Sequence, residues 1–290
     1  VMIALGEVIC EKSGVLNLGQ EGMMLMGAVV GFLAAYSTGS AGLGIISAVI
    51  MGVMMSLIFA FLVLQLEANQ VATGLALTIF GTGLSAFVGS GVVGQTIQGF
   101  QPIIIPVLSD IPFIGQIFFT HDLLVYISFL MAILVAYVAT KTRIGLILKA
   151  VGENPHAANA IGIKVLRVRY LAVMFGGAMA GLSGAYMSLV YTPMWVENMT
   201  SGRGWIALAL VVFASWRVGR ILLGAYLFGL ASIMHLVLQG MGWDISPNLL
   251  AMLPYVATVV VMVIISADHF KEKLLAPRSL GKPFDPRQMA

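Results

Sequence analysis

Four stretches of this chain space their polar residues as chemistry would require. In Gly181-Leu182-Ser183-Gly184 a hydroxyl sits between glycines, and His235 follows on a later apolar run. A serine within hydrogen-bond reach of a histidine base is the arrangement of an acyl-transfer nucleophile. A second stretch, Glu11-Lys12-Ser13-Gly14-Val15-Leu16-Asn17-Leu18-Gly19-Gln20-Glu21-Gly22, sets three formal charges and three glycines into otherwise apolar sequence. Ionisable groups in such surroundings are costly and are functional candidates by default. Irregular backbone there has to be buried in protein or face a watery cavity. The same residues also fit a loop leading into a helix with Glu21 near its first turn. In the third stretch, residues 67–74 (EANQVATG), Asn69 and Gln70 either offer hydrogen bonds to a polar solute or close a tight turn. The fourth, residues 191–204, holds Trp195, Glu197, Asn198, Arg203 and Trp205, a set that suits a membrane interface. Trp216 with Arg217 suits an interface anchor as well. His121, His156 and His269 have no metal-ligand spacing. The sequence contains no GxxxxGK[ST] phosphate loop, so it does not itself hydrolyse ATP by the P-loop mechanism.

The elements that must position these groups are membrane helices. Hydrophobic residues make up 60% of the 290 and charged residues 9%, with a mean hydropathy of +1.01. A soluble domain is about a quarter charged. The 33 glycines suit helices whose backbones approach closely. The single cysteine, Cys10, excludes an internal disulfide. Apolar runs that fit the roughly 20-residue length of a span are 15–36, 43–64, 71–89, 123–139, 168–190, 205–216, 221–238 and 249–265. The run 205–216 is short and extends back only through glycine-rich residues. The expected fold is an all-α polytopic transmembrane bundle with about eight visible spans. Residues 1–10 are too few to span, so a first helix is expected to be shortened or to begin before this sequence. Residues 1–267 then form the membrane domain and 268–290 a polar, flexible tail carrying Pro277, Pro283 and Pro286. The apolar loop 91–121, with Pro102, Pro106 and Pro112, is expected to pack across the outer mouth or against a partner.

Charge sets the orientation. No Lys or Arg occurs between Lys12 and Lys141, and the cations then gather in 141–169, at Arg217 and Arg220, and in the tail. Placing these regions in the cytoplasm gives a consistent alternation of spans and a cytoplasmic C-terminus. The net charge of +3 is therefore a topology signal and does not indicate nucleic acid. The loop 141–169 (KTRIGLILKAVGENPHAANAIGIKVLRVR) carries six cations, Lys141, Arg143, Lys149, Lys164, Arg167 and Arg169, against the single anion Glu153. Between its basic ends lie Gly152-Glu153-Asn154-Pro155, the alanines Ala157, Ala158 and Ala160, and Gly162-Ile163. Such a loop is either an amphipathic connector at the interface or a docking element for a cytoplasmic partner.

Two motifs carry a resemblance. Residues 11–28, EKSGVLNLGQEGMMLMGA, and 149–163, KAVGENPHAANAIGI, resemble the permease subunits of ATP-binding-cassette importers. The branch is that of branched-chain amino-acid, ribose and nucleoside permeases, and the wording of 11–28 is most similar to the nucleoside and simple-sugar type. EANQVATGL (67–75) and the GGAMAGLSGAY helix add to the likeness, which covers nearly the whole chain. It implies a multi-pass protein of a bacterial or archaeal plasma membrane that is not an enzyme and needs no cofactor. Its implied partners are cytoplasmic ATP-binding subunits, a second permease subunit (homologous or identical) and an extracytoplasmic solute-binding protein. A coupling helix is expected near 146–161, with Leu146, Lys149, Gly152, Glu153, Asn154, Pro155, Ala157, Ala158 and Gly162 as its residues. Transporters build solute sites from interrupted helices, which singles out Asn17, Gln20 and Glu21, then Asn69 and Gln70. The same machine carrying branched-chain amino acids or ribose is the alternative. Of another class, Ser183 and His235 resemble the dyad of rhomboid-type intramembrane serine proteases. Against that, Gly177, Ala180, Gly181 and Gly184 recur at helix-packing spacing, and LVLQG follows His235 where small residues are expected.

Overall fold

A computed structural model describes residues 1–99, 119–241 and 276–285, together with 102–104, 106, 109, 111, 246, 249, 252, 256 and 260; the side chains of 235, 236 and 239 fall outside it. The helices are α1 (Met2–Lys12), α2 (Gln20–Thr38), α3 (Ala41–Ala60), α4 (Gln70–Gly89), α5 (Leu123–Lys141), α6 (Arg143–Glu153), α7 (Pro155–Ala160), α8 (Val165–Tyr186), α9 (Arg203–Phe213) and α10 (Val218–Gly240). Wide π-turns prolong α3 through Phe61–Gln65 and α8 through Met187–Tyr191. The strands Ile103–Ile104 and Thr120–His121 pair antiparallel in the loop after α4. Polar residues at the breaks start the helices. The side chains of Ser40, Asn69, Asp122, Thr142 and Asn154 each accept a hydrogen bond from a first-turn N–H, of α3, α4, α5, α6 and α7 respectively.

Lipid supplies no hydrophobic drive between helices, so close packing must hold the bundle. Here α8 forms the axis, with α1, α2 and α3 laid against its glycines. A Cβ on Gly6 would start 2.7 Å from that of Met179, and one on Gly27 would start 2.6 Å from the Cα of Gly181. One on Gly52 would lie 2.9 Å from the same Cα, and Ala48 carbonyl oxygen blocks any side chain at Gly181. Gly22 and Gly81 bring α2 and α4 together in the same way, 2.7 Å for the added atom. The outer helices turn apolar side chains away from the protein, among them Ile79 and Phe87 of α4 and Ile133 of α5. Among the described residues, five helical segments are long and apolar enough to cross a membrane: Gln20–Thr38, Ala41–Gln65, Gln70–Val92, Leu123–Lys141 and Val165–Tyr191.

The bundle has two distinct ends. At the far end Gly94 N–H donates to Trp195 (2.9 Å) and Ile97 N–H to Pro193 (3.0 Å), closing the start of the loop after α4 over the segment after α8. At the basic end, α6 and α7 meet the C-terminus of α1 and residues 276–285.

Several expectations need correction. The run 205–216 is no span, because α9 has 11 residues, about 16 Å of helix against a hydrocarbon core of about 30 Å. Residues 192–202 lead back from the far end to its start, so the crossing combines an irregular segment with a half-helix. Residues 2–12 form α1, a short helix buried inside the bundle, as the expectation of a shortened first helix allowed. Trp195 and Trp216 are buried at 0% and 4% exposure and are not interface anchors, since both face protein. Where it is described, the tail packs on the bundle, with Phe284 buried against Val151, Ala158 and Val165. The run 249–265, most of the loop 100–118 and the tail residues 268–275 and 286–290 lie outside the described residues, apart from the isolated positions above.

Candidate functional site

The polar stretch 11–22 folds as a break between α1 and α2, enclosed by the start of α4 and the first turns of α8. Gly14 takes φ +90°, a conformation open to glycine, and lets the chain turn back from the end of α1. Asn17 steadies the return by accepting from Gly19 N–H at 3.0 Å. The backbone of this break then needs partners from elsewhere. Leu16 N–H donates to Gln70 Oε1 at 2.8 Å, and Leu18 carbonyl accepts from Thr78 Oγ1 at 3.0 Å. Asn17 N–H donates to Glu7 Oε1 at 3.2 Å, and Gln20 Nε2 donates to the other oxygen of Glu7. Glu7 and Glu11, one helical turn apart on α1, are both fully buried. Trp216 Nε1 donates to Glu11 Oε2, which ties the end of α9 to α1.

Glu21 occupies the other end of α9. Its Oε1 accepts from Gly202 N–H at 2.8 Å and from the Thr200 hydroxyl, and its Oε2 accepts from Gly204 N–H. The first N–H groups of a helix have no partner within it and carry the positive end of its dipole. A carboxylate from another helix therefore caps the half-helix. Its neighbour Gly204 leaves no room for a side chain, since an added Cβ would lie 2.8 Å from Glu21 Cα. The geometry makes residues 13–22 and α9 one unit, with α9 held at its start by Glu21 and at its end by Glu11.

Asn17, Gln20, Glu21 and Gln70 thus come together around one break, all buried and bonded to protein. Asn69 stands apart, exposed, with its side chain capping α4. Ser183 is occupied by α8 itself, its hydroxyl donating to Met179 carbonyl at 2.7 Å, and it faces the glycine-packed interior. The side chain of His235 lies outside the described residues.

At the basic end, the helix expected near 146–161 is a pair, α6 and α7, that breaks at Asn154. Pro155 favours an extended residue before it, and Asn154 adopts φ −148°, ψ 94° while its side chain caps α7. The inner face of the pair holds Leu148, Val151, Gly152, Pro155 and Ala158. Leu146 and Ile161 are 70% and 76% exposed, and Lys149, Ala157 and Gly162 are exposed with them. Glu153 makes an ion pair with Arg278 at 3.7 Å. Gly152 is seated so closely on the end of α1 that an added Cβ would strike Lys12 carbonyl oxygen.

Glu7, Thr200 and the contacts of Arg169 escaped sequence reasoning. Glu7 had a signal, being an ionisable residue within an apolar run. Arg169 counted only as a topological charge, yet it is fully buried. Nothing local marks Thr200, whose partner lies 179 residues away.

Residues 1–266 match the family described as branched-chain amino acid transport system / permease component. The chain is 44% identical over 86% of its length to the putative glucose ABC transporter permease protein TsgC13 of Haloferax volcanii, covering 77% of that protein. It is 32% identical to the guanosine ABC transporter permease protein NupQ of Bacillus subtilis, with 98% and 92% of the two chains aligned. The nucleoside ABC transporter permease protein NupC of Lactococcus lactis is also 32% identical, with 97% and 91% aligned. No solved structure matches the chain.

Proposed function

This chain belongs to the branched-chain amino acid transport system permease family, and on that premise we propose that it forms half of the pathway of an ATP-driven importer of nucleosides or related simple sugars. The observation that carries the cargo is the likeness over nearly the full chain to permeases named for guanosine, nucleosides and glucose. Cytoplasmic ATPase subunits drive the cycle, a second permease subunit completes the pathway, and an extracytoplasmic protein delivers the solute. The basic end, with the C-terminus, faces the cytoplasm, as the distribution of Lys and Arg favours. The pair α6–α7 receives the ATPase, supported by the apolar side chains that it and the following residue leave exposed, Ile144, Leu146 and Ile161. Asn17, Gln20, Glu21, Asn69 and Gln70 frame the pathway and keep the break in shape. Their bonds to protein favour this positioning role over strong solute capture, and an importer fed by a binding protein needs little affinity in its permease.

The test is ATP-dependent uptake of a labelled purine nucleoside by cells that hold the complete transporter, with and without this chain. Unlabelled nucleosides, glucose, ribose and leucine serve as competitors. Uptake that needs the chain and is competed by nucleosides or glucose is the expected result. Competition by leucine or ribose alone overturns the cargo and leaves the permease role in place.

A further inference from the structure

We infer that residues 276–285 act as an internal strut that joins the helix pair α6–α7 to the break between α1 and α2, with Arg169 as the positioning residue at its centre. The inference rests on the proposed docking of an ATPase at α6–α7. Three lines of contact meet in this segment. On the loop side, Gly152 carbonyl accepts from both Ser279 N–H (2.9 Å) and Ser279 Oγ (2.7 Å). Phe284 fills the space under Val151 and Ala158, with the His156 ring 5.1 Å away. On the side of the break, Gly281 N–H donates to Gly14 carbonyl at 3.2 Å. Gln70 Nε2 donates to Lys282 carbonyl at 3.4 Å while its Oε1 holds Leu16.

Arg169 ties both sides together from the first turns of α8. Its Nε donates to Ser13 carbonyl at 3.1 Å, Nη2 to Ser279 Oγ at 3.2 Å and Nη1 to Lys282 carbonyl at 3.4 Å. Its guanidinium carbon lies 5.7 Å from the centre of the Phe284 ring, within cation–π range. A planar guanidinium presents donors in fixed directions, so it holds the break and the strut at one spacing. A push on α6–α7 then reaches residues 13–16 through hydrogen bonds that Gly152 shares with the segment. Without the strut, α6–α7 would still meet the end of α1 at Gly152, but the hydrogen bonds that run from Gly152 through Ser279 and Gly281 to Gly14 would be lost.

The readout is solute transported per ATP hydrolysed, measured with the complete transporter in proteoliposomes. Phe284→Ala and Ser279→Ala are compared with Phe284→Leu, which keeps an apolar plug, and with a helix-breaking change at Ala158 in the docking pair. Coupling energies of this kind are worth factors of about 5–150, so transport per ATP is expected to fall about tenfold in Phe284→Ala. ATPase subunits should stay bound and hydrolysis should continue, and Phe284→Leu should restore most of the ratio. Simple misfolding would instead lower yield, hydrolysis and transport together, as would loss of the ATPase, and either result counts against the strut. If the Ala158 variant uncouples while both tail variants keep a normal ratio, the strut is overturned and the docking assignment stands. If none uncouples, both are overturned.

Discussion

A carboxylate enclosed by protein is decided by its donors, and Glu21 has three of them, from the turn that leads into α9 and from its first turn. Hydrogen bonds of this kind inside a membrane protein are worth about 1 kcal/mol each, more where one partner is charged. Glu21→Ala is therefore expected to cost about 2–4 kcal/mol, visible as a lower thermal midpoint in detergent. Glu21→Gln retains an acceptor and should lose less than half as much. Equal losses for the two variants would count against capping as the role of this side chain. That Asn17, Gln20 and Glu21 matter was legible from their types, since polar groups and glycines break an apolar run. Their partners were not, because Thr200, Gly202 and Gly204 stand 179 to 183 residues further on. Local sequence shows that a polar group needs satisfaction without showing whether solute or protein supplies it.

For the elements, the spacing of small residues was the informative signal. Gly177, Ala180, Gly181 and Gly184 on α8 read as a packing surface, and α2 and α3 do approach there to backbone contact. A side chain at Gly181 has nowhere to go, so Gly181→Val is expected to abolish the folded monodisperse protein in size-exclusion chromatography. Gly83 in α4 is the contrasting position, with nothing within 4 Å of an added Cβ. Gly83→Ala should leave the fold intact and raise stability by about 0.5–1 kcal/mol through the helix entropy of glycine. A collapse of both variants would mean that glycine content, and not close approach, sets stability. Hydropathy located α3, α4, α5 and α8 to within a few residues but overstated α9. Apolar composition is shared by a span and by a short helix sealed inside protein, and only the position of the turns separates them. The fit of residues 276–285 against α6–α7 and the break was hidden for a similar reason: a proline-rich basic segment looks the same whether it is solvated or seated on a partner.

Taken as a whole, the molecule places its basic loop, the start of α4, the end of α1 and the segment 276–285 at one end, as charge distribution alone anticipated for the loop and tail. On the proposed orientation, Thr38→Cys should react with a membrane-impermeant thiol reagent in intact cells, and Lys164→Cys only after permeabilisation. Both sites are exposed, and the native Cys10 is buried and adds no background. The opposite labelling pattern would invert the topology and remove α6–α7 from the reach of any cytoplasmic ATPase. The half-helix has a bearing on biosynthesis as well. With 11 residues it is too short to partition into lipid as an independent stop during translation, for which about 20 are needed. Both of its anchors, Glu21 and Glu11, precede it in the chain and are synthesised before it. The seat of α9 is thus synthesised ahead of the piece it holds, and retention of α9 in the bilayer is expected to depend on that seat rather than on its own apolarity.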